Sequence, residues 1–87
     1  MPLYIADCDV PGIPPEQVRD LAVRARAACE EAAQGTGVHY LLTLWIPADW
    51  RVMVLFQAQS ADAVRAVCQV ARTPLLRVVE VVEVCGT

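Results

Sequence analysis

The sequence predicts an α+β sandwich of the ferredoxin-like type, in which two helices lie on one face of a four-stranded antiparallel sheet. Three observations favour this fold. Strand-like and helix-like segments follow one another in the order β-α-β-β-α-β, and each helix is long enough to cross over between strands. The two central strands are joined by a turn too short for any pairing but an antiparallel one. Residues 1–87 are expected to form one domain.

The first half of the chain supplies one strand and one helix. Leu3–Val10 alternates in the manner of a strand. A helix is expected to begin at Pro14–Gln17, because proline suits the first turn and the acid that follows complements the helix dipole. The helix is expected to end at Gly35 and Gly37. Its apolar residues at helical spacing are Val18, Leu21, Ala22, Ala25, Cys29 and Ala32.

The second half is expected to contain three strands and one helix. The predicted strands are Val38–Ile46, Trp50–Ala58 and Leu76–Val84. The turn Pro47–Asp49 joins the first two of them. Ser60 is a suitable N-cap for a helix that ends near Arg72. The inner residues of this helix are Val64, Val67, Cys68 and Ala71.

The strand pair within Thr43–Ala58 has more apolar residues than one buried face requires. Val52, Val54 and Phe56 lie on one side of the second arm, and Met53 and Leu55 lie on the other. Apolar residues make up 56% of the chain, and mean hydropathy is +0.42. Because two helices cover only one sheet face, the other is expected to be shielded in a homodimer that packs sheet against sheet.

Charge and composition exclude several classes of function. Ten acidic residues outnumber seven arginines, and the net charge is −3, which argues against binding to nucleic acid. Arg19, Arg24 and Arg26 cluster on the first helix and are interpreted as part of a solvated face. No apolar run is long enough for a membrane span, and no signal sequence precedes the first strand, so a cytoplasmic protein without a membrane partner is expected.

Proton-transfer candidates lie on the first two strands. Asp7 is in mid-strand among apolar neighbours, where a carboxylate is costly unless it is paired. Asp9 shares its strand face and could act with it on a proton or a cation, or could instead cap the turn that follows. His39 is the only histidine, and imidazole titrates near neutral pH; it could equally be a surface or interface residue. Tyr40, beside it, is expected to orient a substrate.

Large apolar side chains near the hairpin could line a ligand pocket. The candidates are Tyr4, Trp45, Trp50, Met53 and Phe56. Ligand sites are mostly apolar with a few polar groups that fix orientation. Aromatic residues are equally favoured in cores and at dimer interfaces, so packing is the alternative interpretation. The two roles are compatible.

Several segments resemble a family of small bacterial proteins long described as a domain of unknown function. The similar segments are Met1–Gly12, P-E-Q-V at Pro15–Val18, G-V-H-Y-L at Gly37–Leu41, L-F-Q-A-Q-S-A-D-A-V at Leu55–Val64 and V-V-E-V at Val78–Val81. The best-known branch of that family is a nickel-binding, nickel-responsive dimer with a ferredoxin-like fold. The resemblance extends over nearly the whole chain and implies the same fold and dimerisation.

The nickel ligands of that branch transfer poorly to this chain. The resemblance implies histidines and a cysteine at five places, which here hold Cys8, Val54, Cys68, Arg72 and Val79. Nickel prefers imidazole, thiolate and carboxylate ligands, and valine supplies none of them. Only Cys8 and Cys68 remain as potential metal ligands. The alternative for all four cysteines is that they are free, buried apolar residues of a cytoplasmic protein.

The sequence therefore favours a homodimer without a cofactor that binds a small hydrophobic organic molecule. Such a protein could be a cyclase or isomerase in which Asp7 or His39 moves a proton. The first alternative is a protein that binds nickel or another transition metal, responds to it and has no enzymatic activity. The second is a structural dimer that supports a partner enzyme and contains no cavity.

Overall fold

A computed structural model describes residues 1–32 and 37–86 of the chain. The elements are β1 (Leu3–Asp9), α1 (Pro15–Ala32), β2 (His39–Ile46), a short 3-10 turn (Pro47–Asp49), β3 (Arg51–Gln57), α2 (Ala61–Ala71) and β4 (Leu75–Val81). The predicted end of the last strand at Val84 is wrong, because β1 begins at Leu3, opposite Val81, and offers no partner beyond it. The predicted helix stop at Gly35 and the side chain of Ala32 lie outside the described part of the chain.

The four strands form one antiparallel sheet in the spatial order β2-β3-β1-β4. α1 connects the central strand β1 to the edge strand β2, and α2 connects the other central strand β3 to the other edge strand β4. Two crossovers of the same hand place both helices on the same face of the sheet. The predicted ferredoxin-like α+β sandwich is confirmed.

The core lies between the helices and one face of the sheet. Successive strand residues point to opposite faces, and in β1 and β3 the even-numbered residues face the helices. These buried strand residues are Tyr4, Ala6, Cys8, Val52, Val54 and Phe56. From the helices they meet Val18, Leu21, Ala25, Ala28, Cys29, Val64, Val67, Cys68 and Ala71. The stripe predicted for α2 is buried in full. Of the described side chains in the stripe predicted for α1, all are buried except Ala22, which is half-buried.

Local hydrogen bonds define both ends of α2. The Oγ of Ser60 accepts a hydrogen bond from the backbone N–H of Ala63 at 3.2 Å, so the predicted N-cap is confirmed. Arg72 adopts a left-handed conformation with φ 57°, and its N–H donates to the carbonyls of Cys68 and Gln69. Pro74 follows within two residues and cannot continue the helix.

The turn between β2 and β3 depends on Trp50. This residue has φ 54°, a left-handed conformation that is uncommon for a bulky side chain, and its N–H donates to the carbonyl of Pro47. Its own carbonyl accepts a hydrogen bond from the N–H of Val10 at 2.9 Å. Trp50 therefore joins the hairpin turn to the end of β1, while its side chain is exposed.

Two alanine substitutions on α1 test this packing. We expect Leu21→Ala to lower the free energy of unfolding by about 2–5 kcal/mol, because it opens a cavity in the core. Val23→Ala, on the exposed side of the same helix, is the matched control and should change it by less than about 0.5 kcal/mol. Urea denaturation followed by circular dichroism measures both. Equal effects would contradict the described orientation of α1.

Candidate functional site

The sheet face opposite the helices, called here the open face, is largely apolar. It carries the odd-numbered residues of β1 and β3 together with the residues that pair with them on β2 and β4. Its apolar members are Leu3, Ile5, Leu42, Leu44, Ile46, Met53, Leu55, Val79 and Val81. The predicted apolar second face is therefore present, and β1 contributes to it as well as the other three strands.

A charged cluster interrupts the open face near its centre. Asp7 on β1 is only 1% exposed. Its Oδ2 accepts hydrogen bonds from Nη1 of Arg51 at 2.8 Å and from Nε of Arg77 at 3.3 Å. The Nε of Arg51 also lies 3.7 Å from Oδ1 of Asp9. Asp7 and Asp9 thus share one strand face and one arginine, which links Asp9 to this cluster.

The second carboxylate oxygen of Asp7 has no hydrogen-bond partner among the described residues. Arg51 and Arg77 offset the cost of burying the charge, because charged groups are tolerated in apolar surroundings when they are paired. A buried acceptor without a partner nevertheless costs about 1–3 kcal/mol. Oδ1 of Asp7 is therefore a buried acceptor whose hydrogen-bonding capacity the described residues do not satisfy.

The expected catalytic residues do not come together. His39 pairs with Gln57 at one end of β2, whereas Asp7 pairs with Met53, four residues further along β3. Strand geometry separates the two by about 16 Å. Tyr40 faces the helices, where its ring packs edge-on against Phe56 and its hydroxyl lies 2.6 Å from Oγ1 of Thr43. No single substrate pose places all three against one reacting atom.

The expected ligand-binding residues are divided between three places. Tyr4 and Phe56 are buried in the core, and Trp50 is exposed at the turn. Met53 is half-buried on the open face. Trp45 borders a cleft of about 350 Å³ against α1, and its Nε1 is buried without a partner among the described residues. These five side chains therefore do not line one pocket.

The two candidate metal ligands lie in the core. Burial raises the pKa of the Cys8 thiol to about 12, and nearby Cys68 adds to the rise. Burial likewise raises the pKa of Cys68, although a hydrogen bond with Thr73 lowers it in part. Both thiols are therefore neutral at pH 7, whereas metals bind thiolates. Within residues 1–32 and 37–86, no group of three or more potential ligands is placed to hold a metal ion.

Sequence reasoning missed Arg51 and Arg77. The signal was present in part, because a mid-strand carboxylate requires a cationic partner. Finding the partners required the strand register, which pairs Asp7 with Arg77 on β4 and places Arg51 on β3 two residues from Met53, the residue opposite Asp7. The register between β1 and β4 also shifts just after Asp7, at a β-bulge, and alternation alone does not reveal such a shift.

The fold and this cluster define a small ferredoxin-like protein with a polar centre in an otherwise apolar open face. No family model matches the chain, and no curated protein is significantly similar to it. Among solved structures, it is similar to the crystal structure of SCO4226 from Streptomyces coelicolor A3(2), with a TM-score of 0.76 and 24% identity over 95% of this chain and 99% of that chain. This similarity shows the shared fold alone. No helix within the described residues could span a membrane.

Thiol reactivity tests the placement of the cysteines. In the native protein at neutral pH we expect iodoacetamide to modify the exposed Cys85 rapidly, and Cys8, Cys29 and Cys68 only after unfolding. Burial excludes the reagent, and the raised pKa values keep Cys8, Cys29 and Cys68 in the unreactive thiol form. Mass spectrometry of digested samples identifies the modified residues. Rapid modification of native Cys8 or Cys68 would contradict the described core.

The same pKa shifts predict that the protein loses stability in alkaline solution. The pKa of Cys8 is raised from 9.0 to about 12, so its contribution to stability is complete below pH 9.0 and is lost as the pH rises towards 12. Urea midpoints measured across this range should fall. The fall should be smaller in Cys8→Ala, which lacks this thiol. An equal fall in both proteins would show that Cys8 does not contribute.

Proposed function

We propose that this protein is a cytoplasmic homodimer that binds a small, largely apolar organic molecule between the open faces of its two copies. The observation that carries the proposal is the combination of a broad apolar sheet face with the almost fully buried carboxylate of Asp7, whose Oδ1 has no partner among the described residues. The described cysteines are all free, which is consistent with a reducing compartment.

The apolar area and the balanced charges of the open face support a second copy of the chain as the partner that covers it. Seven-residue strands in a four-stranded sheet present a face on the order of 400 Å² in projection, within the size range of the largest apolar patches on monomers, which are often functional. A two-fold interface must be complementary to itself. Asp7 and Asp9 together balance the charges of Arg51 and Arg77, so two copies can face each other without net repulsion.

The shape of the open face supports a ligand site that only the dimer completes. A flat sheet encloses a ligand from one side, whereas ligand sites bury about 70–90% of the ligand surface. The second copy would supply the opposite wall at the usual spacing of about 10 Å between packed sheets. The apolar side chains would contact the body of the ligand, and the cluster around Asp7 would fix its orientation.

The proposal also includes catalysis, for which fewer of the expected residues are well placed than for binding. A cofactor-free proton shift, cyclisation or isomerisation of the bound molecule would use Asp7, since it is the expected catalytic residue at the centre of the open face. His39 is about 16 Å away by strand geometry, and Tyr40 lies on the opposite face. Arg51 and Arg77 balance the charge of Asp7 and hold it in place, which supports binding more directly than turnover.

A measurement of the oligomeric state tests whether a second copy of the chain covers the open face. We expect sedimentation equilibrium to give twice the chain mass of 9.5 kDa for the native protein. Leu44→Glu places a charge on the open face, at a residue that is 54% exposed in the single chain, and should yield monomers. Val70→Glu is the matched control, because Val70 is 59% exposed on α2, away from the open face.

Two results would contradict the dimer. The first is a native protein that remains monomeric at concentrations at which biological dimers are stable. The second is dissociation by Val70→Glu to the same extent as by Leu44→Glu, which would place the interface on the helices. Circular dichroism of both variants confirms that each is folded before its mass is interpreted.

A further inference from the structure

We infer that the ligand of the open face carries a neutral hydroxyl group that donates a hydrogen bond to Oδ1 of Asp7 and accepts one from the guanidinium group of Arg77. This inference rests on the proposed function and specifies the chemical class of the ligand. It favours an apolar molecule with a hydroxyl, such as a phenol or another hydroxylated ring system, over acids, amines and pure hydrocarbons.

The first step concerns the acceptor. Asp7 is 1% exposed, and its Oδ2 already accepts from two guanidinium groups. Oδ1 is shielded from solvent and has no partner within the described residues. A buried carboxylate oxygen is an acceptor only, so the missing group must be a donor. This requirement excludes esters, ethers and ionised acids as partners for Oδ1.

The second step concerns charge. The cluster contains two carboxylates, Asp7 and Asp9, and two guanidinium groups, Arg51 and Arg77, so its formal charges cancel. A cationic or anionic head group would leave one charge unbalanced in an apolar site that the second copy closes. Burying an unpaired charge is far more costly than burying a paired neutral group. A neutral donor therefore matches the cluster best.

The third step concerns Arg77. Its side chain is 64% exposed, and its described contact with Asp7 is a single hydrogen bond from Nε at 3.3 Å. It is therefore the member of the cluster most able to move and admit a group to Oδ1. The Nη atoms of Arg77 have no hydrogen-bond partner among the described residues and can donate to an incoming oxygen. A hydroxyl oxygen both donates and accepts, so one atom satisfies both residues.

Four naphthalene probes that differ only in their head group test this assignment. They are 2-naphthol, 2-naphthoate, 2-naphthylmethylammonium and 2-methylnaphthalene, each titrated at neutral pH into the dimeric protein and followed by probe fluorescence. We expect 2-naphthol to bind roughly tenfold more tightly than 2-methylnaphthalene, a difference of about 1.4 kcal/mol, because only 2-naphthol can form hydrogen bonds with the cluster. It should also bind more tightly than either charged probe.

Two variants test whether the preference for 2-naphthol over 2-methylnaphthalene depends on the charged cluster around Asp7. Asp7→Asn should bind 2-naphthol only about as tightly as 2-methylnaphthalene, and Arg77→Gln should reduce the preference for 2-naphthol, while affinity for the hydrocarbon stays within about threefold of the native value. Arg77→Gln changes an exposed side chain and is expected to fold even if Asp7→Asn does not. Arg65→Gln is the matched control: Arg65 is a 51% exposed arginine on α2, and its loss should leave the preference unchanged.

The results separate this inference from the proposed function. Equal affinity of the native dimer for all four probes would leave apolar binding in place and overturn the hydroxyl assignment. Tighter binding of the carboxylate or the ammonium probe, or a preference for 2-naphthol that is undiminished in Arg77→Gln, would also overturn it. If none of the probes binds, the proposed function itself fails.

Discussion

Two helices can cover only one face of a four-stranded sheet, and the remaining features of this protein depend on that limit. In β1 and β3 the even-numbered residues enter a core built with α1 and α2, and the odd-numbered residues face away from it. The open face is nevertheless apolar over most of its area. This pattern favours a partner that covers the open face, because the largest apolar patch on a soluble protein is often a functional surface.

Asp7 is tolerated in the middle of this apolar face because β1 is a central strand with a neighbour on each side. Each neighbour supplies one arginine, Arg51 from β3 and Arg77 from β4, and both guanidinium groups reach the same carboxylate oxygen. Arg77 lies opposite Asp7 in the same register that places Leu3 opposite Val81, and the β-bulge that shifts this register comes only after Asp7. The pairing is incomplete, since it satisfies one oxygen and leaves the other without a partner in the part of the chain that the structure describes. Buried polar groups in this state are usually explained by function or by a missing partner.

The fold was predictable from the sequence because its signals are local. The N-cap at Ser60 and the stripe of α2 depend on residues within a few positions of one another. The candidate site was predictable only in part. The cost of an acid in mid-strand identified Asp7, but its partners lie 44 and 70 residues away in sequence. Tyr40 was assigned to substrate orientation and Trp45 to a pocket by residue type alone. The side to which each points depends on the bulge in β2 between Tyr40 and Leu42.

Strand alternation also bears on the choice between a metal site and an organic ligand. Asp7 and Cys8 are adjacent in sequence, so they point to opposite faces of β1. Cys8 enters the core with Cys68, where burial raises the pKa of both thiols and keeps them neutral. Asp7 enters the open face, where its charge is balanced by two arginines. The soft sulfur ligands and the hard carboxylate are therefore on different sides of the sheet and cannot share one ion. What remains on the open face is a neutral polar cluster in apolar surroundings, and this combination suits an organic molecule with one polar group.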